Sequence, residues 1–94
     1  MGRELTDLFA VGLNHHTAPL DVRERIALDE QGVRFHLESL LSRGLCDEAL
    51  LVSTCNRVEL FGVPKDGLEQ SVFDYFCSIR GAGGIAPHLF RRTG

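Results

Sequence analysis

The chain has 94 residues and a net charge of −3 at pH 7, which allows one small domain and argues against a general electrostatic affinity for nucleic acid. Hydrophobic residues make up 44% of it, as in ordinary globular proteins, and no apolar run approaches the ~20 residues of a membrane span. Three cysteines are an odd number, which predicts no disulfide framework and favours a reducing, cytoplasmic location. Residues 1–7 mix acidic and basic side chains, so no export signal is expected.

The first half of the chain predicts one strand followed by two helices. Residues 8–13 (LFAVGL) form an apolar run that is too short for a helix and suits a buried strand. Thr17 is a candidate N-cap for a short helix over residues 20–27. A longer amphipathic helix is predicted to begin after a second N-cap, Asp29, and to end at Gly44.

The second half predicts a hairpin and one more helix. Residues 49–52 and 58–63 both read as strands, and the link between them is short enough to predict an antiparallel pair. Residues 68–79 carry apolar side chains at helical spacing. The glycine-rich residues 81–84 indicate a flexible joint, and we expect the tail, residues 85–94, to begin a further helix.

The element order, β-α-α-β-β-α, predicts an α+β fold. We expect a split β-α-β arrangement of the ferredoxin-like kind, with an antiparallel sheet and the helices on one face. The sequence shows no clear candidate for a last strand. We therefore expect a single domain over residues 1–94, with an ordered core at about residues 7–80 and a tail at residues 81–94.

The segment S-T-C-N-R, residues 53–57, contains the strongest candidate for chemistry, Cys55. A free thiol with a pKa of ~8.5 is only about 3% thiolate at pH 7. The hydrogen-bond donors of Thr54, Asn56 and Arg57 would favour the thiolate, and no carboxylate lies beside it in the sequence. The alternative is that Cys55 is a small residue packed under a turn. Cys46 and Cys77 are weaker candidates, because acidic residues follow Cys46 and apolar residues surround Cys77.

Three histidines are candidates for acid–base chemistry. His15 and His16 follow the first predicted strand, and either one is a candidate acid, base or orienting group. The alternative is that one of them packs and the other is solvated. A zinc site formed with Cys55 and His88 is disfavoured, because the ligand spacing is not typical of zinc sites, and no metal is expected. His88 alone is a single polar residue in the tail.

Any contact with nucleic acid is expected to be local, because the chain is acidic as a whole. The alternative for each basic side chain is an ordinary solvated surface position. The candidates for such a contact are Arg23, Arg25, Arg57, Arg91 and Arg92.

Two longer segments carry a resemblance to a known family. G-L-N-H-H-T-A-P-L-D-V-R-E-R, residues 12–25, resembles the N-terminal signature of glutamyl-tRNA reductases. L-L-V-S-T-C-N-R-V-E-L-F, residues 50–61, resembles the active-site segment of that family. The clear match covers residues 8–62, and the last third of the chain matches loosely. The resemblance implies a truncated N-terminal catalytic domain.

The same resemblance implies a reaction and roles for particular residues. The family reduces glutamate carried on its tRNA to glutamate-1-semialdehyde, an early step of tetrapyrrole (porphyrin) biosynthesis. By this resemblance Cys55 is the catalytic nucleophile that forms a glutamyl thioester, and His88, in the segment H-L-F-R, is a second catalytic residue. Thr54, Asn56 and Arg57 would bind the substrate together with Cys55.

The resemblance also implies a cofactor and partners. NADPH is the hydride donor of the family, but no G-x-G-x-x-G loop follows a strand here, so we expect no cofactor-binding residues in this chain. The implied partner is glutamyl-tRNA(Glu), with glutamate-1-semialdehyde aminomutase as a further candidate. The family forms homodimers through a helical domain that has no counterpart in this sequence.

Two other functions remain open from the sequence. The first is a non-catalytic binding module that recognises glutamate, the tRNA acceptor end or a protein partner. The second is a structural remnant that binds nothing.

Overall fold

The structure is a computed structural model, and it describes residues 8–81 and 84–93. Residues 1–7, for which no export signal is expected, and residues 82–83 of the predicted glycine-rich joint lie outside the described residues. The strands are β1 (Phe9–Asn14), β2 (Cys46–Ser53), β3 (Arg57–Pro64) and β4 (Phe90–Thr93). The helices are α1 (Leu20–Ile26), α2 (Glu30–Ser42) and α3 (Glu69–Ser78), with short 3-10 turns at Ile79–Gly81 and Ala86–His88.

The four strands form one antiparallel sheet in the order β2-β3-β1-β4. β2 and β3 are a hairpin, and β1 lies against β3, with Asn14 opposite Arg57. β4 closes the other edge, with Phe90 opposite Gly12. The predicted α+β, split β-α-β arrangement is therefore confirmed, and the last strand, for which the sequence offered no candidate, is present.

The tail differs from the prediction. Where a helix was expected to begin, a single 3-10 turn is followed by strand β4. Ile85 just before this turn is buried, and the guanidinium of Arg91 within β4 lies 4.6 Å from the ring centroid of Phe73 on α3. Contacts of this kind join residues that are far apart in the sequence, which is why a local pattern did not reveal the strand.

Helix ends follow the predicted signals in one case and depart from them in another. Asp29 caps α2, since its side chain accepts a hydrogen bond from the Gly32 N–H at 2.7 Å, as predicted. Gly44 follows the end of α2 with a φ of 71°, a conformation that glycine adopts without strain. The prediction that Thr17 caps α1 is wrong: Pro19 occupies that position, and the Thr17 hydroxyl instead accepts from the Asn14 N–H at 3.0 Å.

The hydrophobic core lies between the helices and one face of the sheet. Alternate residues of each strand point to this face, so the inward positions of β1 are fully apolar. The largest fully buried side chains are Phe9, Leu13, Ile26, Leu40, Leu60, Phe76, Ile79 and Ile85.

The opposite face of the sheet carries no helix among the described residues. Leu50 on this face is 58% exposed, whereas its strand neighbour Leu51, which faces the helices, is 5% exposed. Glu59 also points to the open face, and it is the one buried charged residue of the described chain. Its carboxylate lies beside Arg57, a residue of the candidate site.

Candidate functional site

One end of the sheet brings the separate candidate segments together. β1 ends there at Asn14, β2 ends there at Ser53, and β3 and β4 begin there. The turn that carries Cys55, the turn that carries His15 and His16, and the segment before β4 therefore share this end. No local pattern predicts this meeting, because it follows from the strand order.

The turn between β2 and β3 exposes Cys55 to solvent. The backbone N–H of Thr54 donates to the carbonyl of Arg57 at 2.8 Å and closes the turn. The hydroxyl of Thr54 accepts from the Asn56 N–H at 3.2 Å, which further restricts the backbone beside the thiol. The alternative in which Cys55 is packed under a turn is therefore excluded.

A second set of contacts ties this turn to the helices. The Nε of Arg23 on α1 donates to the carbonyl oxygen of Cys55 at 3.2 Å, and its Nη1 donates to the carbonyl of Ala18 at 2.7 Å. Nearby, the hydroxyl of Ser53 accepts from the backbone N–H of Leu28 at 2.9 Å. The end of the hairpin is thus attached to α1 itself, through Arg23, and to the segment that follows α1, through Leu28.

Arg57 forms an ion pair with Glu59, which lies on the open face of the sheet. Its Nη1 lies 3.3 Å from Oε1 of Glu59, whose side chain is 9% exposed, while the side chain of Arg57 is 51% exposed. Glu59 pairs across the sheet with Gly12, where a Cβ atom would lie only 2.9 Å from the Cγ of Glu59. The missing side chain of Gly12 leaves room for Glu59, and Glu59 in turn orients one side of the guanidinium.

The histidines lie near this end but do not contact the thiol. His15 and His16 are exposed in the turn after β1, and their ring centroids lie 3.9 Å apart. His88 is half-buried in the 3-10 turn before β4, and among the described residues no hydrogen bond joins it to Cys55. β1 lies between β3 and β4, so two strand spacings, about 10 Å, separate those strands.

The two other cysteines differ from Cys55 in environment. Cys46 is buried at the start of β2, and burial, assisted by the neighbouring Asp47, raises its pKa to about 11. Cys77 is half-buried on α3, where burial and then the charge of Asp74 raise its pKa. Both effects disfavour the thiolate, so neither cysteine competes with the exposed thiol as a nucleophile.

Three of the five candidate arginines for nucleic-acid contact are engaged with different parts of the fold. Arg23 is engaged with two backbone carbonyls, and Arg57 with Glu59. Arg91 stacks on Phe73 and donates to Gln70, which places it on the helix side of the sheet. These three side chains therefore do not form a single basic patch at this end of the molecule.

Residues 8–81 and 84–93 offer few features of other kinds of site. No group of three or more His, Cys, Asp or Glu side chains has a metal-binding arrangement in that part of the chain. No helix there has the length and apolar character needed to cross a membrane. A groove on the open sheet face involves Leu50, Phe61 and Val63, at the end of the hairpin away from Cys55.

Sequence reasoning identified the turn but missed two of its supports. Arg23 was considered only as a contact for nucleic acid, and Glu59 was not considered at all. Both lie inside the two segments that carry the family resemblance, and that placement was the available signal. Arg23 and Cys55 are 32 positions apart, so spacing could not have paired them. Arg57 and Glu59 are two residues apart on β3 and therefore share a face of the sheet, which is a signal that the strand prediction contained.

Comparison with known proteins gives a consistent result. The family model described as "Glutamyl-tRNAGlu reductase, N-terminal domain" matches residues 11–94. The glutamyl-tRNA reductase of Chlorobium limicola is 52% identical over 90 residues, which cover 92% of this chain and 21% of the relative. That of Nitrosomonas europaea is 52% identical over 86 residues, covering 89% of this chain and 20% of the relative. The chain thus spans about a fifth of the length of these curated relatives.

A solved structure shares the fold. The glutamyl-tRNA reductase from Methanopyrus kandleri superposes with a TM-score of 0.64 and covers 95% of this chain and 19% of its own. The two sequences are 22% identical in this comparison, so the likeness is one of fold.

Proposed function

Because the chain belongs to the family of the glutamyl-tRNA reductase N-terminal domain, we propose that it carries the acyl-transfer half of that enzyme's reaction, with Cys55 as the nucleophile. The observation that carries the proposal is the exposed thiol of Cys55 on a turn that is closed by hydrogen bonds and flanked by Arg57. An exposed sulfur on a fixed backbone is accessible to an ester carbonyl and needs little reorganisation to attack it.

The proposed step is a transesterification to sulfur. The Cys55 thiolate attacks the carbonyl carbon of the glutamyl ester, a C–S bond forms, and the C–O bond to the terminal ribose breaks. The ribose oxygen leaves as an alkoxide and takes up a proton, which frees the tRNA and leaves a glutamyl thioester on the chain. Covalent catalysis of this kind replaces one difficult step with two easier ones.

The neighbouring side chains are proposed to bind and orient the substrate. Arg57 is half-exposed and is bonded to Glu59 on one side, and its remaining N–H groups are suited to the side-chain carboxylate of a glutamyl group. Thr54 and Asn56 stand in the same turn and are proposed to contribute further polar contacts. We propose that His88 supplies the proton for the leaving ribose oxygen, because it stands at the same end of the sheet without contacting the thiol.

Reduction of the thioester needs a dinucleotide cofactor, and we do not propose that this chain binds one. The described sheet is antiparallel, and no glycine-rich turn leads from a strand into a helix within it, so the described residues do not fit a dinucleotide. We assign this chain no reduction step. Reduction with NADPH, dimerisation and any transfer of product to an aminomutase are proposals for a longer protein that would include such a chain.

The test is to incubate the chain with glutamyl-tRNA and to look for a glutamyl adduct on the peptide that contains Cys55 by mass spectrometry. We expect the adduct on the wild-type chain and its loss in Cys55→Ser. Cys77→Ser is the matched control, since it also removes one thiol, and it should keep the adduct.

An adduct that persists in Cys55→Ser would exclude this residue as the nucleophile. Binding of glutamyl-tRNA without any adduct in the wild-type chain would instead favour the non-catalytic binding module.

A further inference from the structure

We infer that Arg23 is a positioning residue for the acyl transfer proposed above, on which this inference rests. Its guanidinium joins the backbone of Cys55 to the start of α1 by two hydrogen bonds. The two residues are 32 positions apart in the sequence, so this contact fixes the nucleophile from outside its own hairpin.

The geometry of the contact suits arginine and no other side chain. Nε donates to the carbonyl of Cys55 at 3.2 Å, and Nη1 donates to the carbonyl of Ala18 at 2.7 Å. The guanidinium is planar, so the directions of these two donors are fixed relative to each other. A lysine ammonium has the same charge but places all its donors on one atom, and it cannot bridge the same pair of carbonyls with comparable alignment.

One end of this bridge is anchored in the core. Ala18 is 4% exposed, and its own N–H donates to the carbonyl of Asn14 at 2.9 Å, at the end of β1. Arg23 therefore links the exposed turn to β1 and α1 and fixes the turn relative to them. The acceptor on the turn is the carbonyl of Cys55 itself, so the contact fixes the peptide plane that follows the reactive residue.

The consequence for the reaction concerns orientation. Thr54, Cys55 and Asn56 are all exposed, and a turn without external contacts samples several backbone conformations. Attack on an ester held elsewhere on the surface requires a defined direction for the sulfur, and a displacement of ~1 Å can cost about 100-fold in rate. A small reagent that approaches from solvent has no such requirement.

This difference provides the test. For each variant, two rate constants at Cys55 are measured at one pH by peptide mass spectrometry: glutamylation by glutamyl-tRNA and alkylation by iodoacetamide. We expect Arg23→Gln to lower glutamylation by about 10-fold or more while alkylation changes little, so that the ratio of the two rates falls. Arg23→Lys should give an intermediate ratio, because it keeps the charge and loses the bridge.

Arg34→Gln is the matched control, since Arg34 is an exposed helical arginine paired only with Glu30 within its own helix, and both rates should stay unchanged. Alkylation of the buried Cys46 reports on unfolding in every variant, and if Arg23→Gln unfolds, Arg23→Lys supplies the ratio. An unchanged ratio, whether both rates fall together or neither falls, overturns the role of Arg23. A wild-type chain that is alkylated at Cys55 but never glutamylated overturns the proposed function instead.

Discussion

At the scale of single residues, Gly12 shows how closely the two motif segments are fitted together. A Cβ atom at this position would lie 2.6 Å from the carbonyl oxygen of Val58 and 2.8 Å from the Cα of Glu59. Both are backbone atoms, which cannot move aside without shifting β3. The glycine of the first motif is therefore required by the close approach of the second.

We predict that Gly12→Ala lowers the free energy of unfolding by about 1–3 kcal/mol, the usual cost of overpacking, although alanine alone would favour the strand. Urea denaturation followed by circular dichroism measures the change. Ala10→Ser, at the next outward position of the same strand, should stay within about 0.5 kcal/mol of the wild type. Unchanged or increased stability in Gly12→Ala would contradict the described packing of β1 against β3.

The residues of the turn that carries Cys55 were predictable from the sequence as a candidate site, and the side chains that hold this turn were not. Cys55 and Arg57 belong to one short segment, and its composition indicated a thiol among donors. The bond from Arg23 depends on the path of the chain through α1 and α2, and the burial of Glu59 depends on the strand order. Both are consequences of tertiary structure, which a local pattern does not contain.

At the scale of elements, helices α2 and α3 are joined by a polar contact between His36 and Tyr75. Nδ1 of His36 lies 2.7 Å from the Tyr75 hydroxyl, and the guanidinium of Arg43 lies 5.5 Å from the centre of the tyrosine ring. Burial, and then the charge of Arg43, lower the pKa of His36 below its usual value of 6.5. The neutral imidazole is therefore the form that this contact favours.

This lowered pKa predicts a loss of stability in mild acid. Below pH 6.5 the unfolded chain binds a proton at His36 more readily than the folded chain, so the free energy of unfolding falls as the pH falls through this range. The urea concentration at the unfolding midpoint should decrease as the pH is lowered from 7.5 to about 5.5. In His36→Gln this decrease should be smaller. His16→Gln, which changes an exposed histidine, should leave it intact; an equal slope in wild type and His36→Gln would refute the assignment.

The elements themselves were predictable where the pattern was periodic. α2 and α3 repeat their apolar residues at helical spacing, and both were predicted within one or two residues of their observed ends. Strand β2 begins at Cys46, three residues before the apolar run that predicted it. The sequence did not indicate this earlier start because Asp47 and Glu48 are exposed, beside an irregularity in the pairing with β3. β4 was missed because F-R-R-T is short and polar, and only its pairing with β1 makes it a strand.

At the scale of the whole molecule, we propose that the described residues, 8–81 and 84–93, form one cooperative unit that includes the tail. Ile85 is 1% exposed within the core, and β4 pairs with β1 along four residues. The order of the other elements was enough to predict the split β-α-β arrangement, because a strand returning beside the first one is its natural completion.

We predict that Ile85→Ala lowers the free energy of unfolding by about 2–5 kcal/mol, the range for truncating a buried aliphatic side chain. Leu50→Ala is the matched control, since Leu50 is 58% exposed on the open face, and its cost should stay below about 1 kcal/mol. Equal and small effects of the two substitutions, measured by chemical denaturation, would show that the tail contributes little to the core.

The link between Arg23 and Cys55 has a consequence for how the chain can be altered. Besides the pairing of β1 with β3, the two motif segments meet through this bond and through the close fit of Gly12 against Glu59, while α2, which separates them in the sequence, takes part in neither contact. A redesign of the solvent-facing side of α2, including Phe35 and Leu41, should therefore be tolerated without loss of the proposed acyl transfer. Damage at Arg23 or Gly12, by contrast, should not be repairable by a side-chain change in the other motif, because the partner atoms there are the carbonyl of Cys55 and the backbone of Val58 and Glu59.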